Sequence, residues 1–340
     1  MRAETLVIQT AFLGDVVLTT PLLSALAERH GPLDVVTTPP AAALLETHPA
    51  VATVIRYDKR GADGGVAGLW RLGRRLRARR YARAYLPHGS WRSAGLALLA
   101  GAPERTGFAD SAAAVTYTTR VAPLQDGHQV ERLLRLAGPL GGAVPPVSLG
   151  LTPADRMAGE RWLNQRGLAP GFIAFAPGSI WGTKRWPYYA ALAAAVDRPI
   201  VVLGGADDVA LAGEILLAAP GRAHSAAGTV DLRVAAALVE LAAVLVTNDS
   251  APLHLATAVG TPVVAVFGPT VPAFGFGPRG PRDLVVEHDE LPCRPCSSHG
   301  PRVCPLGHHR CMRELSVERV GAAVAAVTGA EVRGAIRSGH

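Results

Sequence analysis

VLVTNDSAPLHLATAVGTPVVAVFG, residues 244–268, contains the pattern that decides the fold class. Two aliphatic runs have the length and β-branched content of buried strands, and an Ala- and Leu-rich helical stretch lies between them. The polar turn Asn248-Asp249-Ser250 follows the first run. Because neighbouring parallel strands are joined through a helix of this kind, the stretch predicts a strand–loop–helix–strand unit of an α/β protein.

The same unit recurs along the chain, with an aliphatic run, a turn containing Gly, Pro or Asp, and a helical stretch. Ligands of open parallel sheets bind beyond the carboxyl ends of the strands, so the loops after these runs are the places to look for chemistry. Strands are predicted at residues 6–9, 34–37, 53–56, 172–176, 200–203, 244–247 and 263–267.

Length and composition predict a globular protein of more than one domain. The chain has 340 residues, more than one typical domain core contains. Of these, 49% are hydrophobic and 18% charged, a composition that excludes a disordered protein. A linker is expected in the Pro- and Gly-rich stretch 141–153. The expected organisation is a first Rossmann-like domain in residues 1–150, a second in 151–315, and a C-terminal helix in 316–340 that returns to the first domain.

Charge and hydropathy limit the location and the partners. The start lacks the features of a secretory signal, and no stretch reaches the ~18 apolar residues of a membrane span, so a cytosolic protein is expected. The formal charge of +7 favours phosphates, nucleic acid or an anionic membrane face. No zinc-finger, helix-turn-helix or RNP-type pattern supports nucleic acid. Only Lys59 and Lys184 supply lysine.

An anion site is predicted where the helix of the 244–268 unit begins. Ser250 can cap this helix, Pro252 lies in its first turn, and His254 lies one turn inside, on the same face as Ser250. Free N–H groups at a helix start bind phosphate. Asp249 would repel a diphosphate, so its useful role is to accept hydrogen bonds from sugar hydroxyls. An Asx turn with a cap explains the same residues without a ligand.

Two further loops of the second half carry charged candidates. In PGSIWGTKRWP, residues 177–187, Lys184 and Arg185 can meet a departing diphosphate, although a solvated Lys-Arg pair is the alternative. Asp207 and Asp208 follow Gly204-Gly205 at a strand end, where an acid can bind a ribose diol. A turn or a helix cap explains these two acids equally well.

The first half contributes one candidate base and one basic segment. Asp15 follows the first strand across a glycine turn and can deprotonate an acceptor hydroxyl, with a plain N-cap as the alternative. RLGRRLRARRYAR, residues 71–83, is predicted to be one helix with Leu72 and Leu76 facing inward. It can rest on anionic lipid or a phosphorylated acceptor, or be a solvated helix face. Its arginines are Arg71, Arg74, Arg75, Arg77, Arg79, Arg80 and Arg83.

All four cysteines fall in one stretch, spaced C-x2-C-x7-C-x6-C at Cys293, Cys296, Cys304 and Cys311. Clustered thiols in a cytosolic chain predict a structural zinc or iron site, and His299, His308 or His309 can substitute for a ligand. Reduced free thiols or occasional disulfides are the alternative. Four thiolates leave zinc no open position, so such a site would not be catalytic.

Four stretches together resemble the ADP-heptose:lipopolysaccharide heptosyltransferase family, particularly its type II members. They are VIQTAFLGDVVLTTPLLSAL at residues 7–26, PGSIWGTKRWP, VTNDSAPLHLATAVGTPVVAVFGPT at residues 246–270, and CPLGHHRCMRELSVERV at residues 304–320. The resemblance implies a GT-B fold, with two Rossmann-like domains facing across a cleft. It also implies metal-independent, inverting transfer from an ADP-sugar to lipid A bearing inner-core sugars, on the inner face of the inner membrane.

The same resemblance implies roles for individual residues. Asp15 takes the position of the general base, Lys184 that of the diphosphate-binding lysine, and Asp207 an acidic ribose-binding position. Ala251 stands where the family commonly has glycine. Related autotransporter heptosyltransferases carry a four-cysteine iron site with different spacings. The expected donor site comprises Gly14, Ser179, Lys184, Arg185, Asp207, Asp249, Ser250, Ala251 and His254.

Other classes of protein remain as alternatives. They are a nucleotide-sugar epimerase or hydrolase, a different ADP-sugar transferase on the GT-B fold, a nicotinamide dehydrogenase, and a noncatalytic sugar-binding scaffold. The dehydrogenase is disfavoured because the turn after the first strand reads AFLGD, without a G-x-G-x-x-G pattern.

Overall fold

The computed structural model describes residues 3–288 and 290–330. The chain divides into two compact units, residues 1–151 and 152–340, and the division falls in the stretch where the sequence predicts a linker.

Strands and helices alternate along unit 1. Its parallel sheet has the strand order β3-β2-β1-β4-β5-β6. The elements are β1 (Thr5–Ile8), α1 (Leu13–Leu18), α2 (Thr20–His30), β2 (Leu33–Thr37), α3 (Pro39–Leu45), β3 (Val51–Arg56), α4 (Gly65–Arg77), β4 (Arg83–Leu86), α5 (Trp91–Ala100), β5 (Glu104–Phe108), β6 (Thr119–Val121) and α6 (Gln129–Leu134).

Unit 2 repeats this plan. Its parallel sheet has the order β12-β11-β10-β7-β8-β9, which is the topology of unit 1 when its strands are counted from β7. The elements are α7 (Pro153–Asn164), β7 (Ile173–Ala176), α8 (Tyr189–Ala195), β8 (Ile200–Val202), α9 (Val209–Ala218), β9 (Ala223–Ser225), α10 (Leu232–Leu241), β10 (Val244–Asn248), α11 (Ala251–Val259), β11 (Val263–Phe267), β12 (Leu284–Glu287), α12 (Arg310–Arg313) and α13 (Val317–Thr328).

The core of unit 2 has two layers, one on each face of its sheet. Successive strand residues point to opposite faces, so Phe175 and Val246 enter one layer while Ala174 and Leu245 enter the other. Helices cover both faces, and for this reason the central strands are apolar throughout rather than alternating.

Each sheet changes direction between its two central strands. The chain moves outward from β1 to β3 and then crosses to β4, and it does the same from β7 to β9 and then to β10. Loops that leave adjacent strands to opposite sides at such a point open a crevice, where ligands of this fold class bind. The loops after β1 and β4, and after β7 and β10, therefore line the crevices of the two units.

The predicted helix over residues 71–83 is wrong in its second half. Helix α4 ends at Arg77, Arg80 has a positive φ of 53°, and Arg83 begins β4. Beyond the helix, Arg79 pairs with the buried Asp34. Leu72 and Leu76 are buried as predicted. The helical arginines are thus Arg71, Arg74, Arg75 and Arg77.

Helix α13 packs on α8 and on the sheet of unit 2, where Val320 and Val324 enter the core. The segment 316–340 is expected from the sequence to return to the first domain. Its described part buries an i, i+4 apolar pair in unit 2, residues 331–340 lie outside the described residues, and the return to the first domain stays a prediction.

Candidate active site

The side chains of Lys184 and Asp249 meet at the crevice of unit 2. Lys184 ends the 3₁₀ turn Gly182–Lys184 in the loop after β7, and Asp249 directly follows β10. Lys184 Nζ donates to Asp249 Oδ2 at 2.5 Å, and the two residues are only 8% and 9% exposed. The Thr270 hydroxyl donates to the same oxygen at 2.6 Å. The crevice therefore contains a buried, hydrogen-bonded ion pair.

A buried ion pair of this kind is weak evidence for stability, because removing both charges from water costs about as much as their attraction returns. Its position at the ligand-binding edge of the sheet makes it a candidate functional group. The sequence predicts Lys184 and Asp249 as separate donor-site residues. The structure brings the two together and adds Thr270, which sequence reasoning missed.

Asn248, also missed, fixes the loop that carries Lys184. Its Oδ1 accepts from the Trp186 N–H at 3.1 Å and from the Tyr189 hydroxyl at 3.3 Å. Its Nδ2 donates to the Pro177 carbonyl at 2.8 Å. One buried side chain thus joins both ends of the loop 177–187. A polar residue at the end of an apolar strand was the available signal.

The first turn of α11 directly follows Asp249 and Ser250. Ser250 occupies the predicted N-cap position, but its side chain does not cap the helix. The Ser250 hydroxyl lies 3.4 Å from both the Asn248 carbonyl and Thr247 Oγ1. The serine hydroxyl therefore does not occupy the Ala251 N–H, the first of α11, whereas Pro252 has no N–H and the Leu253 N–H donates to the Ser250 carbonyl at 3.1 Å. His254 is buried one turn on, with its ring 6.3 Å from that of Phe276.

Ser179 and Arg185 stabilise the loop 177–187 from within. Arg185 Nε donates to the Ser179 carbonyl at 2.9 Å, and the Ser179 hydroxyl accepts from the Trp181 N–H at 3.3 Å. The sequence predicts that Lys184 and Arg185 face the same anion. In this structure they have different partners, since Lys184 contacts Asp249 whereas Arg185 contacts its own loop.

Asp207 and Asp208 have different surroundings. Asp208 accepts from the Gly205 N–H at 2.9 Å, and a Cβ on Gly178 would collide with the Asp208 carboxylate. Asp208 therefore stabilises its own turn and lies against Gly178 in the loop after β7. Asp207 is exposed in the 3₁₀ turn Ala206–Asp208 and is the one of these two acids that can contact a ligand.

At the crevice of unit 1, Gly14 and Asp15 lie in the first turn of α1, which follows β1. Phe12 occupies the N-cap position and Asp15 is the third helical residue, so Asp15 is not a plain N-cap. The Thr19 hydroxyl donates to the Asp15 carbonyl at 2.6 Å, and Gln9 Nε2 donates to Thr19 Oγ1 at 2.9 Å. Thr19 thus holds the Asp15 carbonyl and is itself held by Gln9.

A second lysine lies beside this turn. Lys59 Nζ donates to the Thr10 carbonyl at 2.5 Å, and burial together with the nearby charges of Arg60 and Arg92 lowers the pKa of Lys59. Burial, assisted by Lys59, also lowers the pKa of His88. Sequence reasoning missed this basic cluster. A cavity of about 340 Å³ adjoins it, lined by Pro87, His88, Gly89, Ser90, Phe108, Asp110, Ser111, Gln129 and Arg132.

The four cysteines are free thiols in this structure. Burial and the neighbouring thiols raise the pKa of Cys311 to about 11. Among residues 3–288 and 290–330, no group of three or more His, Cys, Asp or Glu side chains is arranged to hold a metal ion. The geometry therefore gives no support to the predicted zinc or iron site. Elemental analysis of protein purified without added metal would test it.

Comparison with known proteins identifies the family. Residues 69–306 match the model of glycosyltransferase family 9 (heptosyltransferase). Lipopolysaccharide heptosyltransferase 2 of Escherichia coli (strain K12) is 31% identical over 291 residues, which covers 79% of this chain and 84% of the relative.

Solved structures agree with that match. The structure of E. coli ADP-heptose lipopolysaccharide heptosyltransferase II has a TM-score of 0.78 and 26% identity, and covers 96% of this chain and 98% of its own. The family 9 glycosyl transferase of Veillonella parvula has a TM-score of 0.86 at 23% identity, over 96% and 97% of the two chains, and supports the fold alone. The chain therefore belongs to glycosyltransferase family 9, the heptosyltransferase family, whose GT-B architecture its two Rossmann-like units share.

Proposed function

We propose that this glycosyltransferase moves heptose from ADP-L-glycero-D-manno-heptose to the inner core of lipopolysaccharide, with inversion and without a metal ion in the transfer step. The observation that carries the proposal is the Lys184–Asp249 pair at the crevice of unit 2, beside the first turn of α11. A buried ammonium and a helix start are the groups that stabilise a diphosphate as its charge develops.

On the donor side, Lys184 and the Ala251 N–H at the start of α11 receive the diphosphate of the leaving ADP. Asp249 keeps the ammonium in position before the donor arrives and accepts hydrogen bonds from sugar hydroxyls. Asp207, exposed after β8, binds the ribose. Stabilisation of the leaving group by fixed cations and dipoles is the role that a divalent ion has in many other transferases.

On the acceptor side, Asp15 accepts the proton of a heptose hydroxyl. The oxygen attacks the anomeric carbon of the donor from the face opposite ADP, the bond to the diphosphate breaks, and the configuration inverts. The basic cluster of Lys59, Arg60 and Arg92 lies near the same turn and suits an acceptor that carries anionic groups.

We further propose that the protein works in the cytoplasm, bound peripherally to the inner face of the inner membrane. Helices α4 and α5 pack side by side, and they expose Val66 (82%), Trp70 (53%) and Trp91 (60%) together with the arginines of α4. Indole rings and arginines on one surface suit the interface of an anionic bilayer. Within the described part of the chain, no helix is long and apolar enough to span a membrane.

The test is transfer by purified protein from ADP-heptose to a heptose-deficient lipopolysaccharide acceptor, with EDTA present. NMR of the product's anomeric proton distinguishes inversion from retention. ADP-glucose and UDP-glucose serve as comparison donors, because a different nucleotide-sugar enzyme on this fold would prefer one of them. Turnover with ADP-heptose at least ~10²-fold above the others is expected. Product that needs a divalent ion, or that keeps the donor's configuration, would refute the mechanism.

A further inference from the structure

The cysteine-rich segment, residues 291–311, has no assigned part in the proposed reaction. It nevertheless lies against the loop 177–187, whose Lys184 is the central donor-site cation. The rings of Trp181 and His299 stack in parallel with their centroids 6.3 Å apart. At Gly182, a Cβ would come within 2.6 Å of the Arg302 carbonyl oxygen. The two stretches of chain therefore pack closely over several residues.

This segment holds Thr183, the residue before Lys184, at its carbonyl and at its hydroxyl. His309 Nε2 lies 2.8 Å from the Thr183 carbonyl oxygen. Because a carbonyl oxygen only accepts, Nε2 carries the hydrogen and donates it. The Thr183 hydroxyl in turn donates to the Pro301 carbonyl. Movement of the peptide that leads into Lys184 would break both hydrogen bonds.

The segment also comes close to the lysine side chain itself. A Cβ on Gly300 would lie 3.4 Å from Lys184 Cε and 3.3 Å from Thr183 Oγ1, and Gly300 has a φ of +75°. A side chain here would be strained by the positive φ and crowded by Pro269 Cγ, 3.0 Å from the Cβ position. The backbone at Gly300 thus lies against the Lys184 side chain.

The opposite side of the ion pair is held by the same segment. The Cys296 N–H donates to the Pro269 carbonyl at 2.8 Å, and Arg294 Nη2 donates to the Thr270 carbonyl at 2.9 Å. Thr270 is the residue whose hydroxyl contacts Asp249. Lys184 and Thr270 both donate to the Asp249 carboxylate. Residues 291–311 therefore fix the positions of both donors.

His309 has a φ of +51°, a left-handed conformation that residues other than glycine seldom adopt. Such a conformation persists where the surroundings over-determine it, and here it aims the imidazole at Thr183.

We propose that His309 is a positioning residue for Lys184. Its Nε2–H fixes the Thr183 carbonyl and so holds the ammonium at the depth where it meets the donor diphosphate. The role in transfer rests on the proposed function, whereas the effect on the position of Lys184 does not.

Three variants separate the hydrogen bond from the backbone conformation. His309→Asn tolerates the left-handed backbone but is too short to reach Thr183, whereas His309→Gln places an amide N–H near the position of Nε2. His308→Ala removes the neighbouring imidazole, which accepts from the Arg310 N–H and takes no part in the hydrogen bond to Thr183. We expect His309→Asn to lower kcat by ~10-fold, since small displacements of a catalytic group have effects of this size. Its melting temperature should fall by about 2–4 °C, because the buried Thr183 carbonyl loses its donor. His309→Gln should recover most of the rate, and His308→Ala should match wild type.

The second measurement does not depend on activity. The chain has two lysines, so protein labelled with ¹³C at lysine Cε gives one signal from Lys59 and one from Lys184, assigned with Lys59→Arg. We expect His309→Asn to shift the Lys184 signal and to leave that of Lys59 in place, while His309→Gln and His308→Ala shift neither. An unshifted Lys184 signal in His309→Asn would overturn the proposal. Wild-type protein that transfers nothing from ADP-heptose would refute the proposed function alone, because the NMR comparison would still decide the role of His309.

Discussion

Lys184 Nζ donates to Asp249 Oδ2 at 2.5 Å, and each side chain retains only 10% of its exposure. The two residues are 65 positions apart in the chain and meet because β7 and β10 are neighbours in the sheet. Without a donor the carboxylate is the anion that balances the buried ammonium. In the proposed reaction, the diphosphate of the donor would be a second anion for the same cation.

Lys184→Ala is expected to reduce transfer by ~10²-fold or more, because the leaving diphosphate loses its cation. It should also lower the free energy of unfolding by about 3 kcal/mol, since Asp249 stays buried without its partner. The double variant Lys184→Met/Asp249→Asn removes both charges and should recover the stability but not the rate. Steady-state kinetics and urea unfolding measure the two effects. Wild-type turnover in Lys184→Ala would exclude a donor-site role for the lysine.

Asp15→Asn is expected to fold and to bind ADP-heptose normally, yet to lose transfer by ~10²-fold or more, because only the proton acceptor is removed. Asp126→Asn, which changes an exposed carboxylate of the same unit, is the matched control and should behave like wild type. Single-turnover rates and donor affinity by calorimetry separate chemistry from binding. If both variants keep the wild-type rate, another group is the base.

Asp207→Ala is expected to raise KM for ADP-heptose by ~10-fold, the effect of losing one charged hydrogen bond to the ribose. Its melting temperature should not change, because the side chain is exposed. Asp208→Ala provides the contrast. It removes the acceptor of the Gly205 N–H and should lower the free energy of unfolding by about 1 kcal/mol. A normal KM in Asp207→Ala would remove that residue from the donor site.

Binding to vesicles of phosphatidylglycerol and phosphatidylethanolamine is expected to fall as salt is added, and to be absent with phosphatidylcholine alone. The variant Val66→Ser/Trp70→Ser should weaken binding by ~10-fold, because about 2 kcal/mol or less of apolar transfer is lost at a partly exposed site. Leu217→Ser in unit 2, where the leucine is 85% exposed, is the matched control. Co-sedimentation measures the bound fraction. Equal binding by both variants would place the membrane contact elsewhere.

Stability should depend on pH through Asp155. Hydrogen bonds from Arg233 hold the pKa of Asp155 well below its usual range, against the opposing effect of burial. A lowered folded-state pKa means that the stabilisation is complete above about pH 4 and is lost as the pH falls further. We expect Asp155→Asn to cost about 1–2 kcal/mol at pH 7, as for a lost helix cap, and progressively less below pH 4. Urea unfolding at pH 7, 5, 4 and 3 measures the difference.

Glu46→Gln is the control for that series, because Glu46 and its partner Arg56 are 43% and 61% exposed and such pairs contribute little. It should differ from wild type by less than ~0.5 kcal/mol at every pH. A gap between Asp155→Asn and wild type that is as large at pH 3 as at pH 7 would show that the carboxylate's charge is not the cause.

The sequence by itself determined the fold class, because strand-length aliphatic runs alternating with helical stretches have few other solutions than parallel sheets covered by helices. It also determined which loops to search, since Lys184, Asp249 and Ser250 all follow predicted strands. The local pattern did not predict where the helix of the arginine segment ends, because charged residues continue past its last residue, Arg77.

Only the tertiary structure decided which of these groups meet. The pairing of Lys184 with Asp249 follows from the adjacency of β7 and β10, which no periodicity in the sequence encodes. The contacts of Thr270 with Asp249 and of His309 with Thr183 also depend on the tertiary structure, because the two residues follow different elements. Side chains distant in the chain contact each other according to sheet order and loop path, and both are set by packing of the whole unit rather than by any local run of residues.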